Sequence, residues 1–202
     1  MAKLVTFWFD YLSPFAFFSQ RRIRPIAARE GFGLDPVPYY HPQTAVAPGV
    51  VGIAPAKLSY IVEDMIRGAK KYGLALSPPQ DLDLLAKPPK APSQRPGFLA
   101  FQWAKAQGKA WEASDALFEA RWLRGARTGE PEVVADVLGA AGFDRAAALR
   151  AIRDETHGKE LDEIAARAER EGIFGIPTFV YRGQRFWGDD RVDALVEAVR
   201  AG

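Results

Sequence analysis

Strand-forming sequence is confined to the two ends of this 202-residue chain, and everything between them reads as helix or loop. The segment LVTFWF (Leu4–Phe9) carries β-branched and aromatic residues on both parities, which suits a strand buried on both faces and central in its sheet. DYLSP follows. Ser13 then Pro14 is a helix-start signal, because proline is tolerated in the first turn and a serine hydroxyl accepts from orphan backbone N–H groups. The spacing predicts a helix to about Arg29, with Phe15, Phe18, Ile23, Ile26 and Ala27 inward, a kink at Pro25, and a stop at Gly31 and Gly33. Leu34–Tyr40 can form a second strand. Two extended runs joined by one helix make a βαβ unit with parallel strands.

From about His41 the pattern is helical only. Leu58, Ile61, Val62, Met65, Ile66 and Ala69 fall on one helical stripe that stops before Gly73. Further helices are expected at about 97 to 107, 111 to 123, 131 to 141 and 144 to 171, the last with a break near Gly158. Ser77–Gly97 holds six prolines and reads as a long irregular connection, more often a functional flap than filler.

The C-terminal segment GIPTFVYRGQRFWG reads as a hairpin, Thr178–Tyr181 and Gln184–Trp187 around a turn at Arg182 and Gly183. Asp189 or Asp190 is expected to cap a final helix whose apolar face is Val192, Leu195, Val196 and Val199. The order is βαβ, a helical block, then ββα. That is an α/β, thioredoxin-like order with an all-helical insertion: residues 1–40 and 171–202 form the discontinuous thioredoxin-like domain and 41–170 the insertion, covering the Ser13 end of the sheet.

Composition removes several function classes. The chain has no cysteine, so disulfides, thiol redox chemistry, a cysteine nucleophile and cysteine zinc sites are excluded. Two histidines, His41 and His157, lie far apart, so no metal site is expected. A net charge of +2 with no long like-charged run gives no reason to expect nucleic acid. The uncharged stretch Pro36–Ala56 is broken by five prolines and no secretory leader is visible, so the reading is a soluble cytoplasmic chain with no membrane span. Arg121, Arg124 and Arg127 read as a solvated helix face.

Chemistry is expected at Ser13. In a thioredoxin-like fold the helix after the first strand presents unpaired N–H groups and a favourable dipole to an anion. A proline before the third strand, here Pro177 after Ile176, is expected to be cis with its backbone beside that helix start. With no histidine at dyad spacing, Ser13 lacks a general base and is not expected to be a hydrolase nucleophile.

FDYLSPFAFF (Phe9–Phe18), GIFGIPTFVYRGQRFWGDDR (Gly172–Arg191) and the helical block between them resemble the 2-hydroxychromene-2-carboxylate isomerases and the related kappa-class glutathione transferases, within the larger DsbA-like group. The resemblance covers nearly the whole chain, and a serine in place of the redox cysteine agrees with its composition. It implies glutathione as cofactor. Ser13 would then be the catalytic residue, donating to the glutathione sulfur. Ile176, before Pro177, would pair its backbone with glutathione like an added strand. Trp187, Gly188, Asp189 and Asp190 would receive the γ-glutamyl end, with Asp190 favoured as the ammonium partner. A hydrogen bond to a charged group, worth roughly 1.5–3 kcal/mol, could lower a thiol pKa from about 8.5 to roughly 6.5–7.5.

The activity implied is cis/trans isomerisation of an unsaturated aromatic keto acid by reversible thiolate addition. Two alternatives stay open: a kappa-like transferase or peroxidase that consumes glutathione, and a non-catalytic DsbA-like peptide binder. A homodimer is compatible with the resemblance. The family's lysine and asparagine near the acceptor have no counterpart in HPQTAVAPGVVGIAP, and Lys57, Lys87 and Lys90 are the substitutes available. Among Phe7, Trp8, Phe9, Phe15 and Phe18, mostly core candidates, one or two could line an acceptor pocket.

Overall fold

A computed structural model of the chain describes residues 3–40, 54–78 and 93–202. Strand β1 (Leu4–Phe9) leads into helix α1 (Pro14–Glu30), strand β2 (Gly33–Pro38) and helix α2 (Pro55–Lys71). Helices α3 (Arg95–Lys105), α4 (Ala110–Arg124), α5 (Pro131–Ala140), α6 (Arg145–Arg153) and α7 (Gly158–Arg170) follow. The chain ends with β3 (Thr178–Tyr181), β4 (Gln184–Trp187), a 3-10 turn (Asp189–Arg191) and α8 (Val192–Ala201).

The sheet order is β2-β1-β3-β4, with β1 parallel to β2 and antiparallel to β3. β1 is therefore central, as its two-faced apolar pattern requires. Val5, Phe7 and Phe9 face α1, α3, α4 and α8 across the main core. Trp8 faces the other way, into a smaller cluster with Val37, Tyr39, Ala168 and Ile173 under α7. The hairpin closes through Arg182 (φ 47°) and Gly183 (φ 78°), the two left-handed residues that a two-residue I′ turn needs.

Several boundaries and burials differ from expectation. α1 continues through Pro25, whose ring lies exposed, to Glu30. β2 starts and ends earlier than Leu34–Tyr40. α3 takes in Arg95–Gly97, shortening the proline-rich connection, whereas the break near Gly158 lies where expected, with residues 154–157 separating α6 from α7. On α2 only Met65 and Ala69 of the predicted stripe are buried, while Val62 and Ile66 are exposed. Arg121 is not on a solvated face: it is fully buried, whereas Arg124 and Arg127 are exposed. His41 lies outside the described residues. His157 is half-buried, its Nδ1 2.9 Å from Glu160. Among the described residues no helix is long and apolar enough to cross a membrane.

Phe9 joins the sheet to helices α3 and α4. Its ring lies 5.1 Å from Phe101, 5.3 Å from Tyr11, 5.8 Å from Phe118 and 6.5 Å from Phe98. Aromatic pairs at such separations add to the burial of the rings themselves. Truncation of Phe9 to Ala should cost about 3–5 kcal/mol, the range for deleting a buried phenyl ring. Urea unfolding of the two proteins measures this, and a loss below about 1 kcal/mol would show that α3 and α4 dock independently of this ring.

Candidate active site

The end of β1 and the start of α1 are pinned by the turn between them. Asp10 is buried, its Oδ1 accepts from the Leu12 N–H at 2.8 Å, and its carbonyl accepts from the Ser13 N–H at 3.0 Å. Ser13 takes extended dihedrals (φ −95°, ψ 113°), and its Oγ accepts from the Ala16 N–H at 3.1 Å. The capping role is thus real, and it uses only a lone pair. The hydroxyl hydrogen has no acceptor among the described residues, and the first turn of α1 holds no acidic side chain. A half-buried donor at the positive end of a helix is a place for an anion.

The Ile176–Pro177 bond is cis. The β1–β3 ladder ends with Trp8 paired to Thr178, so the segment that precedes Thr178 runs toward the Phe9–Asp10 end of β1. This brings the cis-proline segment to the end of β1 from which Ser13 springs. Among the described residues neither the N–H nor the C=O of Ile176 is spent on a backbone partner, so the segment offers an unpaired edge. Its position is held from both sides, by Tyr39 Oη donating to the Ile173 carbonyl at 3.1 Å and Thr178 Oγ1 donating to the Gly175 carbonyl at 2.6 Å.

The WGDD turn is tied to the same place. The Gly188 N–H donates to the Pro177 carbonyl at 2.9 Å, and the Gly188 carbonyl accepts from the Arg191 N–H at 3.2 Å. Gly188 sits at φ 111°, ψ 154°, a conformation open essentially to glycine alone, and a Cβ there would lie 2.5 Å from Asp190 Oδ1. The two aspartates have different fates. Asp189 Oδ1 accepts from Ser19 Oγ at 2.9 Å and Oδ2 accepts from Tyr72 Oη at 2.6 Å, so this carboxylate is committed internally. The Asp190 side chain is 72% exposed, and its one ion-pair partner among the described residues is Arg191 at 3.6 Å, which leaves it available to a cation from outside. Neither caps α8, because the 3-10 turn intervenes and Arg191 occupies the cap position without a side-chain bond.

The structure therefore brings together Ser13, Ile176, Pro177, Gly188, Asp189 and Asp190. Trp187 stands beside them but half in solvent, edge-on to Phe174 with ring centroids 5.0 Å apart. Gly175 is needed there, since a Cβ would lie 2.5 Å from Trp187 Nε1. Among the described aromatics at this end of the sheet, Phe174 and Trp187 are exposed, whereas Phe7, Trp8, Phe9 and Phe18 are buried and Phe15 is partly buried against the core. Sequence reasoning missed Phe174, whose signal was a large apolar residue between two glycines, and it missed Ser19, Arg22 and Tyr72 as supports. Lys57 lies exposed in the first turn of α2, while Lys87 and Lys90 fall outside the described residues.

Ser19 is six residues beyond Ser13, about 9 Å along the helix axis at 1.5 Å per residue.

The 2-hydroxychromene-2-carboxylate isomerase of Pseudomonas putida is 26% identical to this chain over 200 residues, covering 97% of this chain and 94% of that protein. A solved structure of 2-hydroxychromene-2-carboxylate isomerase superposes with a TM-score of 0.80 at 24% identity, covering 98% of this chain and 95% of that one. The cytosolic disulfide reductase DsbM from Pseudomonas aeruginosa, in a structure with GSH, gives a TM-score of 0.61 at 21% identity over 98% of this chain and 99% of that one. A family model described as a DSBA-like thioredoxin domain matches residues 4–200, and the chain belongs to that family.

Proposed function

We propose that this chain is a glutathione-dependent cis/trans isomerase acting on an unsaturated aromatic keto acid of the 2-hydroxychromene-2-carboxylate type. The observation that carries the reading is Ser13: a capping hydroxyl at the start of α1 whose hydrogen is unspent among the described residues, at the end of β1 toward which the Ile176–Pro177 segment runs. Relatives named 2-hydroxychromene-2-carboxylate isomerase, alike along nearly their whole length, supply the substrate class.

The residues present fit glutathione. Ser13 would direct its O–H at the sulfur while Oγ keeps its bond from the Ala16 N–H, and the N-terminal dipole of α1 adds roughly 0.3–1 kcal/mol for a negative charge there. Ile176 would pair N–H and C=O with the cysteinyl backbone as an added strand. Asp190 would take the γ-glutamyl ammonium, and the Asp189 and Asp190 N–H groups would face its carboxylate. When bound, glutathione supplies a thiolate that adds to a conjugated double bond, permits rotation about the resulting single bond, and leaves unchanged. Phe174 and Trp187 offer apolar ring faces to an aromatic acceptor at the same end of the sheet.

The same machinery suits a transferase that keeps the sulfur bonded to its acceptor. Free glutathione counted before and after complete turnover of a 2-hydroxychromene-2-carboxylate separates the two: an isomerase returns all of it, and stoichiometric loss overturns the isomerase reading. No glutathione binding by calorimetry would favour the peptide-binding alternative.

Ser13→Ala should leave the fold in place and raise the thiol pKa of bound glutathione by about one to two pH units, the equivalent of a hydrogen bond to a charged group. Turnover at neutral pH should then fall about ten- to a hundredfold and recover in part as pH rises. Thiolate absorbance titrated in both complexes is the check, and equal pKa values would reduce Ser13 to a helix cap. Asp190→Asn should weaken glutathione binding about ten- to a hundredfold, through loss of a charge-assisted contact, with the thiol pKa unmoved. Unaltered affinity by calorimetry would remove Asp190 from the site.

A further inference from the structure

Asp189 faces the candidate site through its backbone but not through its side chain. Both carboxylate oxygens are taken from below, Oδ1 by Ser19 of α1 and Oδ2 by Tyr72, the residue that caps the C-terminal end of α2. Its carbonyl is held as well, by Arg22 Nη1 at 2.9 Å, and Arg22 Nη2 continues to Asp193 at 2.7 Å. The 3-10 turn is thus fastened to α1 at two points and to α2 at one.

The reach of Tyr72 follows from how α2 packs. At Gly68 a Cβ would lie 2.6 Å from the buried ring of Phe18, so glycine is what allows the helices to meet this closely. One turn further on, the Tyr72 ring lies 5.4 Å from the Phe18 ring and its hydroxyl arrives at Asp189. Gly73, at φ 64°, then ends the helix. The contact joins residues 117 positions apart, so no local tendency of the chain creates it.

We propose that Tyr72 and Ser19 are positioning residues for the γ-glutamyl end of glutathione: by occupying both oxygens of Asp189 they hold the Gly188–Asp190 turn so that the Asp190 carboxylate and the Asp189 and Asp190 N–H groups are left to the ligand. This rests on the glutathione reading above. Were the Asp189 carboxylate released, it could rotate toward the ligand and compete with Asp190 for the ammonium or repel the γ-glutamyl carboxylate. Affinity for glutathione is then conditional on docking of α2 against α1, which couples the helical insert to a binding turn on the thioredoxin-like sheet.

The bond persists through the pH range of thiol titrations. Burial first, and then the Asp189 carboxylate, push the Tyr72 phenol up to about 12. A folded-state value above the ordinary one near 10 means that the contribution is complete below about pH 10 and is lost only as pH rises through about 12.

The test is calorimetric binding of reduced glutathione and of cysteinylglycine, which lacks the γ-glutamyl end, to the full chain as wild type, Tyr72→Phe and Ser19→Ala. Tyr72→Phe keeps the ring against Phe18 and Ser19→Ala fills no new space, so either variant suffices should the other fold poorly. Each should weaken glutathione about five- to twentyfold, leave cysteinylglycine affinity within about twofold, and leave the thiol pKa of bound glutathione at its wild-type value. Equal weakening of both ligands would indicate general loosening and overturn the positioning role. Unchanged glutathione affinity in the variants, with normal binding by wild type, would overturn this inference alone. Absence of glutathione binding by wild type would instead overturn the glutathione reading, and the inference with it.

Discussion

Burial of β1 on both faces sets the frame to which every part of the site is referred. Phe7 and Phe9 enter one core and Trp8 the other, so a slip of one residue in pairing would turn all three to the wrong side. The β1–β3 register is fixed for that reason. Once it is, the start of β3 must lie at the end of β1, Ile176 and Pro177 must reach the Asp10–Ser13 turn, and the bond from Gly188 to Pro177 brings the WGDD turn to the same end. Packing of apolar side chains therefore determines where a backbone edge, a hydroxyl and a carboxylate meet.

The helical residues between β2 and β3 share this packing. Phe98, Phe101, Phe118 and Trp122 belong to the same apolar cluster as Phe9, Tyr11 and Leu195, and Trp122 Nε1 donates to the Tyr11 carbonyl at 2.9 Å. The loop that presents Ser13 is thus braced from α4 as well as from the sheet. Burial pushes the phenol of Tyr11 far up, which keeps this residue a neutral part of the brace. Polar ties such as Tyr72 to Asp189 act on a scaffold that aromatic packing has already placed.

Much of this was legible in the residues. LVTFWF, the two-residue turn of the hairpin and the helix start at Ser13–Pro14 carry local signals strong enough to be matched residue by residue, and the cis bond before Pro177 agrees with its place in the chain order. What stayed hidden depends on distant partners. Periodicity gave α2 a continuous apolar stripe, but which members are buried depends on how α2 lies on α1, and Val62 and Ile66 turn outward. Arg121 read as solvated because arginine usually is, whereas its place on α4 beside Trp122 puts it wholly inside. Asp189 and Asp190 read alike as caps. The resemblance favoured Asp190 as the ammonium partner, and the bonds from Ser19 and Tyr72 make Asp189 an internal anchor while Asp190 stays an exposed acid.

The account stands on one arrangement, a thiolate held by Ser13 with its peptide paired along Ile176. A crystal structure of the chain with reduced glutathione tests it most directly. The account predicts the sulfur within hydrogen-bonding reach of Ser13 Oγ, the cysteinyl N–H and C=O paired with Ile176, and the γ-glutamyl ammonium on Asp190. Glutathione bound elsewhere, or bound here with its sulfur turned away from Ser13, would contradict it.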